Sequence, residues 1–159
     1  MNISIENRQK TLRVNRGALR TLTENIGRRA LPDPDAWETI TVILVHDQDM
    51  VEVNRACFGR TGGTDVISIA YPPFPPGARA GRGEIVVNAD QALREGSTRN
   101  GPARELALYV AHGCNHLGGR DDATPTERIR MRRRENDWLR RPDIQPWIES
   151  CLEEHRPDA

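Results

Sequence analysis

The segment from His112 to Asp122 holds the residues whose types and spacing are best suited to chemistry. His112 and His116 point the same way on a helix, because four residues make about one turn. The Gly-Gly pair that follows breaks the helix and lets the chain fold back. The returning chain carries Asp121 and Asp122, so a carboxylate can approach both imidazoles. Two imidazoles, one carboxylate and a position left for water are the makeup of a catalytic zinc site.

The neighbours of these histidines bear on the reaction that such a site performs. A zinc ion lowers the pKa of a bound water towards about 7 and gives a hydroxide that attacks an ester or amide at neutral pH. Metallopeptidases of the H-E-x-x-H type need a glutamate directly after the first histidine, and here that position is Gly113. Peptide hydrolysis is therefore disfavoured, and phosphoesters remain open. Glu105, seven residues before His112 on the same helix face, is a candidate to bind its outer nitrogen.

The histidine pair has a simpler interpretation, since such pairs also occur on helices by chance. The adjoining Gly-Gly and Asp-Asp pairs favour the metal site over that interpretation. Asp122 is the predicted third ligand beside His112 and His116, and Asp121 is the alternative. Cys114 is two residues from each histidine and points elsewhere on the helix, so we interpret it as a packing residue.

Hydrophobic patterning predicts the strands and helices that must position this segment. The predicted strands are Ile3–Ile5, Thr39–Val45, Thr64–Ala70 and Glu84–Asn88. The predicted helices are Val14–Ala30, a helix through Met50–Asn54 capped by Asp47, Ala89–Glu95, a long helix from Pro102 that carries both histidines, Pro125–Arg140 and Ile144–His155. Loops are predicted at Gly59–Gly63 and Tyr71–Gly83. This order predicts one α+β domain over residues 1–159, with a mixed sheet of about four strands packed with several helices.

Composition and charge exclude several classes of protein. The 159 residues carry 23 basic and 23 acidic side chains, so the net charge of zero argues against a protein that grips nucleic acid with its whole surface. No apolar run approaches the roughly 20 residues that cross a bilayer, and no membrane association is expected. The acidic, alternating N-terminus is unlike a signal peptide, which predicts a cytoplasmic protein. Three cysteines without a CxxC pair argue against a disulfide framework.

Five arginines cluster between Arg128 and Arg134. One interpretation is a solvated helix face, balanced by Glu127, Glu135 and Asp137. The other is a local phosphate-binding patch beside the metal, because the planar guanidinium fork binds two phosphate oxygens at once. On the charge run alone, the solvated face is favoured, and the phosphate-binding patch is the alternative.

Four blocks of the sequence, in order, match the pattern of one known family. They are Asn54-Arg55 followed by Thr64-Asp65-Val66-Ile67-Ser68, then Gly83-Glu84-Ile85-Val86-Val87, then His112-Gly113-x-x-His116-Leu117-x-Gly119-x-Asp121-Asp122, and last Met131 with Glu135. Together they resemble the YbeY family, bacterial rRNA maturation factors that are metal-dependent endoribonucleases. The resemblance extends over most of the chain, and it implies a mixed sheet with several helices.

The resemblance also implies a set of metal ligands. The family binds zinc with three histidines, of which the first two correspond to His112 and His116. The third position falls on Asp122, which is a departure, although aspartate is an accepted zinc ligand. Its negative charge makes a bound water a weaker acid and favours harder ions such as Mn²⁺. We expect one Zn²⁺ per chain, with another divalent ion as the alternative.

A second departure concerns an arginine to which the family pattern gives a catalytic role. By spacing, that arginine falls on Phe58, and the aromatic residue before it falls on Cys57. Arg60 is the predicted replacement, with Arg55 as the alternative, and it would balance charge at the reacting phosphate. Asn115 stands where the family prefers leucine.

The family resemblance implies a single-strand-preferring, metal-dependent endoribonuclease in rRNA maturation and ribosome quality control. The implied partners are the rRNA precursor and the small ribosomal subunit. Aromatic residues are only 4% of the chain, so recognition by RNA backbone and shape is expected rather than extensive base stacking. Two other functions stay open: a non-catalytic assembly factor that binds rRNA with a degenerate metal site, and a hydrolase of another small phosphoester.

Overall fold

The computed structural model describes residues 1–78 and 80–153, which form one four-stranded mixed sheet with helices against it. The strands are β1 (Asn2–Asn7), β2 (Trp37–Val45), β3 (Val66–Tyr71) and β4 (Gly81–Asn88). Their order in the sheet is β1-β2-β4-β3. The pairs β1–β2 and β2–β4 are parallel, and β3 runs antiparallel to β4 at the edge. The α+β prediction with about four strands is therefore confirmed.

Six α-helices accompany the sheet in the described residues. They are α1 (Arg16–Ala30), α2 (Asp47–Phe58), α3 (Ala89–Ser97), α4 (Pro102–Leu117), α5 (Pro125–Leu139) and α6 (Gln145–Ser150). A short 3-10 turn at Pro34–Ala36 precedes β2 and was not predicted. Among these helices, none is long and apolar enough to cross a bilayer.

Alternating residues of β2 divide between two hydrophobic clusters. Val42 and Leu44 belong to the main core, which also contains residues of α1, α4 and α6. Ile43 and Val45 point to the other face of the sheet, where Met50 of α2 covers them. Strand side chains alternate between the two faces, so one continuous apolar run supplies both clusters.

The N-terminal boundaries of two helices differ from the prediction for local reasons. The side chain of Asn15 accepts a hydrogen bond from the backbone N–H of Ala18, so α1 begins after Asn15 instead of at Val14. The predicted cap Asp47 is wrong, because His46 holds that position. The Asp47 carboxylate instead accepts two hydrogen bonds from Arg94, at 2.6 and 2.9 Å.

Boundaries of two strands and one further helix also differ from the prediction. β3 begins at Val66, two residues later than predicted, and β4 begins at Gly81, three residues earlier. The added residues of β4 pair with the end of β3, in the register Tyr71 opposite Arg82. α6 ends at Ser150, and the predicted helix end at His155 lies outside the described residues.

Helix α4 lies very close to the sheet, and this fixes the position of its histidines. A Cβ atom on Gly113 would lie 2.5 Å from Cγ2 of Ile85 in β4, so no side chain fits there. The Ser68 hydroxyl of β3 donates a hydrogen bond to the Gly113 carbonyl, at 3.1 Å. The missing general base of the peptidase motif therefore has a packing reason, because position 113 faces the sheet.

Candidate metal centre

The structure brings His112, His116 and Asp122 together at one point. The Nε2 atoms of His112 and His116 are 3.1 Å apart. Oδ2 of Asp122 lies 3.6 Å from Nε2 of His112 and 3.7 Å from Nε2 of His116. Ligand atoms of a tetrahedral zinc ion, bound at about 2.0–2.1 Å, are themselves about 3.3 Å apart. The three residues therefore fit a small divalent cation, and that they bind one stays a prediction.

The turn after α4 makes this convergence possible. α4 ends at Leu117, and Gly119 has a φ of +91°, in the left-handed region that glycine adopts freely. The backbone N–H groups of Gly118 and Gly119 close the helix end on Cys114 and His116. The predicted reversal at the Gly-Gly pair is therefore confirmed, and it returns Asp122 to the histidines.

The two aspartates after the turn have different surroundings. Asp122 contributes Oδ2 to the three-atom group. Asp121 instead accepts a hydrogen bond from the backbone N–H of Asp122, at 2.8 Å, and does not belong to that group. Arg128 donates to the Asp122 carbonyl at 3.3 Å and so ties this loop to α5. The geometry favours Asp122 over Asp121 as the third ligand.

Glu135 of α5 binds the outer nitrogen of His112. Its two carboxylate oxygens lie 3.2 and 3.0 Å from Nδ1 of His112, and the Asn115 amide donates to the same carboxylate at 2.9 Å. Glu135 is only 3% exposed, so this contact is shielded from water. A carboxylate on Nδ1 leaves the lone pair of Nε2 directed at the metal position.

His116 has its own outer partner. Its Nδ1 lies 3.1 Å from the carbonyl oxygen of Arg120, the residue directly after the Gly-Gly pair. The Arg120 guanidinium in turn donates to the carbonyl of Ala30 at 2.8 Å, which anchors the turn to α1. Both histidines are therefore oriented through their outer nitrogens.

The sequence prediction for the outer partner of His112 was wrong. Glu105 lies along the same helix, but its carboxylate pairs with Arg99, at 3.4 Å, and not with the imidazole. The actual partner Glu135 is 23 residues away in sequence, so no helical spacing indicates it. Its only signal in the sequence is its place in the last block of the family pattern.

These surroundings shift the pKa of His112. Burial lowers its pKa, but the hydrogen bond and the negative charge of Glu135 outweigh burial and raise the pKa above its ordinary value. Burial alone raises the pKa of the Cys114 thiol to about 12. Cys114 is fully buried beside the site and stays protonated at neutral pH, which agrees with its predicted packing role.

Replacing Glu135 with glutamine should weaken the metal site through His112. We expect metal affinity to fall roughly 10- to 100-fold, the usual cost of losing such a partner. In chelator-treated protein the His112 pKa should also fall, because burial remains and the charge that raised the pKa is gone. Calorimetric zinc titration and an NMR pH titration of the His112 ring measure the two effects.

Asp137→Asn, two residues further along α5 and exposed, is the matched control and should change neither quantity. An unchanged His112 pKa in Glu135→Gln would contradict the assigned contact.

The raised His112 pKa also affects the stability of the fold. In the metal-free protein this histidine contributes stability that is complete below the ordinary pKa of about 6.5. That contribution is lost as the pH rises through the folded-state pKa.

Two cavities meet at the candidate metal centre. The larger, about 560 Å³, is lined by His112, His116 and Asp122 together with Phe58, Arg60 and the edge strand β3. The smaller, about 270 Å³, lies on the other side of His112, towards α5. Asp65 lines both cavities, as do His112 and Asp122. The three shared residues place both cavities at the candidate metal centre.

The two arginines considered for catalysis, Arg60 and Arg55, differ in whether they line a cavity at the candidate metal centre. Arg60 lines the larger cavity with both histidines, and its guanidinium lies 5.6 Å from the centre of the Phe58 ring. Arg55 does not line either cavity. The geometry therefore favours Arg60, and its role in catalysis stays a prediction.

The arginines of α5 divide between two faces of the helix. Arg128 and Arg132 line the smaller cavity beside His112, with Arg99 of the loop after α3. Arg130 and Arg134 lie in a separate groove, with Arg120. The phosphate-patch interpretation is thus available for Arg128 and Arg132 of the cluster, and the other three clustered arginines line neither cavity at the candidate metal centre.

Fold and centre together define an α+β protein with a candidate metal centre between α4 and the edge strand β3. Comparisons with known proteins agree on its family. Residues 4–142 match the sequence model of the family described as Endoribonuclease YbeY. A protein of that name from Thermodesulfovibrio yellowstonii is 30% identical over 155 residues, which cover 87% of this chain and 97% of that protein. This chain therefore belongs to the YbeY family.

Another relative supports the same assignment, and one solved structure shows the same fold. Endoribonuclease YbeY from Anaeromyxobacter sp. is 35% identical over 102 residues, 64% of this chain and 53% of that protein, so the matching region spans about half of that relative. The solution structure of TM1509 from Thermotoga maritima aligns with a TM-score of 0.56 at 23% identity, covering 93% of this chain and 92% of that one. That structure has the same fold.

Proposed function

We propose that this protein is a metal-dependent endoribonuclease that cleaves single-stranded RNA during rRNA maturation and ribosome quality control in the cytoplasm. Its partners would be the rRNA precursor and the small ribosomal subunit. The observation that carries the proposal is the triangle of His112, His116 and Asp122 ligand atoms, 3.1–3.7 Å apart, at the junction of two cavities. The relatives named endoribonucleases support the substrate class.

The residues of the candidate metal centre have different proposed roles. His112, His116 and Asp122 would hold a divalent cation such as Zn²⁺, which supplies a Lewis acid and an activated water when bound. Glu135 and the Arg120 carbonyl keep the two imidazoles in the tautomer that presents Nε2. Arg60 would stand against the reacting phosphate and balance its negative charge.

The charges around His112 give a reason for metal dependence. Four carboxylates line the smaller cavity, on Asp65, Glu105, Asp122 and Glu135, beside three guanidiniums, on Arg99, Arg128 and Arg132. Arg99 is already paired with Glu95, at 3.0 Å, and with Glu105. Without a cation the carboxylates oppose the approach of a phosphate, and a bound divalent cation reverses the balance of charge.

Phosphate contacts should make RNA binding depend on salt. If Arg60, Arg128 and Arg132 each neutralise one phosphate, the logarithm of affinity for a single strand falls with the logarithm of salt concentration with a slope of about −2. This slope is modest because only these three side chains, and not the whole protein surface, contact phosphates.

An RNA cleavage gel with and without chelator tests the proposal. We expect purified protein to cut single-stranded RNA, to stop when the metal is removed, and to recover when Zn²⁺ or Mn²⁺ is added back. A duplex of the same sequence should be cut more slowly. Phosphodiester cleavage that survives complete removal of metal would overturn the proposed mechanism.

The same gel separates the competing functions. If RNA is bound but is not cut with any divalent ion, the nuclease proposal is wrong and the non-catalytic assembly factor is favoured. Hydrolysis of simple phosphoesters without RNA binding would instead favour the small-substrate hydrolase.

A further inference from the structure

An exposed aromatic ring stands at the wall of the candidate metal centre. Phe58 is the last residue of α2, and its residue surface is 52% exposed although it is large and apolar. It lines the same cavity as His112, His116 and Asp122. Apart from the two imidazoles, Phe58 is the aromatic side chain of this cavity in the part of the chain that the structure describes.

The turn that ends α2 joins this ring to a positive charge. Gly59 has a φ of +63°, the left-handed conformation of a helix C-cap, and it turns the chain back at once. Two residues after the ring, the Arg60 guanidinium lies over it, 5.6 Å from its centre. At this distance the cation is attracted to the ring face that it covers, so a base would stack on the opposite face of the ring.

We propose that Phe58 is a stacking platform for one nucleobase of the RNA strand, next to the phosphate held at the metal centre. This inference rests on the proposed nuclease function and adds a specificity-determining contact to it. Arg60 carries the charge that meets the adjoining phosphate. Stacking requires the base to leave any duplex, so this contact favours single-stranded RNA.

The chemistry of the cavity selects a nucleotide over a purely apolar ligand. A ligand without charge would cover Arg60 and Asp122 and leave them without solvent or partner, which is costly. A nucleotide presents a π face and an anionic phosphate side by side, matching the Phe58 ring and the Arg60 guanidinium. The cavity of about 560 Å³ is within the usual size range for ligand sites.

A base-deletion scan tests the contact directly. Zinc-loaded protein is titrated on ice with a fluorescent single-stranded RNA and with copies that each lack one base, and a gel checks that the strand stays intact. Wild-type protein should lose roughly 5- to 150-fold in affinity when one particular base is removed, the usual value of one stacked base. Phe58→Ala should show the same loss on intact RNA and no further loss on that one abasic strand.

Two variants complete the experiment. Phe58→Trp should retain binding and the sensitivity to that base, because a larger ring still stacks. Phe74→Ala removes an equally apolar ring that is 83% exposed and lies outside the cavity, so it should bind as wild type does. Folding of all variants is compared by thermal unfolding.

The outcomes separate this inference from the function on which it rests. If wild-type protein binds single-stranded RNA but Phe58→Ala binds it equally well, the stacking contact is wrong and the nuclease proposal stands. The stacking contact is also wrong if the cost of the missing base persists in Phe58→Ala. If wild-type protein binds no single-stranded RNA, both proposals are overturned.

Discussion

Replacing His112 with alanine should abolish stoichiometric metal binding and, with it, RNA cleavage. Losing an outer partner of a ligand costs roughly 10- to 100-fold in metal affinity, and losing the ligand itself costs more. Two remaining ligands, His116 and Asp122, cannot hold zinc tightly, since catalytic zinc sites use three protein ligands. Because the imidazole is partly buried against Glu135, the variant also leaves that carboxylate without its partner.

Elemental analysis of freshly purified protein measures this effect, with one metal ion per chain expected for wild type and none for His112→Ala. His46→Ala is the matched control, because His46 is also partly buried and contacts a carboxylate, Asp90, at 3.1 Å. It lies outside the three-atom group and should keep its metal. Unchanged metal content in His112→Ala would reject the ligand assignment.

The neighbouring aspartates give the second large effect. Asp122→Ala should lower metal affinity by more than about 100-fold, whereas Asp121→Ala, one residue away, should change it little. The reason is geometric, because Oδ2 of Asp122 lies within 3.7 Å of both Nε2 atoms while Asp121 stands outside the group. Zinc titration by calorimetry on the two variants measures the difference.

Asp122→His extends this comparison. A third imidazole would restore the ligand set that the family resemblance implies, and it should tighten zinc relative to Mn²⁺, because nitrogen ligands suit zinc better than the harder ion. If Asp122→Ala retains full metal affinity while Asp121→Ala loses it, the two roles are reversed and the loop must rearrange when the ion binds.

The local part of the centre could be predicted from the sequence because its signals are local. The spacing of His112 and His116 places both on one turn of α4, and the Gly-Gly pair must end that helix. The sequence left Asp121 and Asp122 open, because which of two adjacent side chains turns inward depends on the loop. The contact from Arg128 to the Asp122 carbonyl, made from α5, is part of what decides this.

The long-range part of the centre could not be predicted in this way. Glu135 reaches His112 from another helix, and no periodicity relates residues 23 positions apart. The packing of α4 against β4 at Gly113 likewise depends on how two distant elements meet. The arginine cluster shows the same limit, since its division between two grooves follows from how α5 lies against α4.

Anomalous diffraction at the zinc edge, from crystals grown with zinc, shows whether the three side chains bind one ion. We expect one strong peak per chain at bonding distance from Nε2 of His112, Nε2 of His116 and a carboxylate oxygen of Asp122. A map with no peak at that position, or with the zinc bound elsewhere and these three side chains apart, would overturn the metal centre and the nuclease mechanism that depends on it.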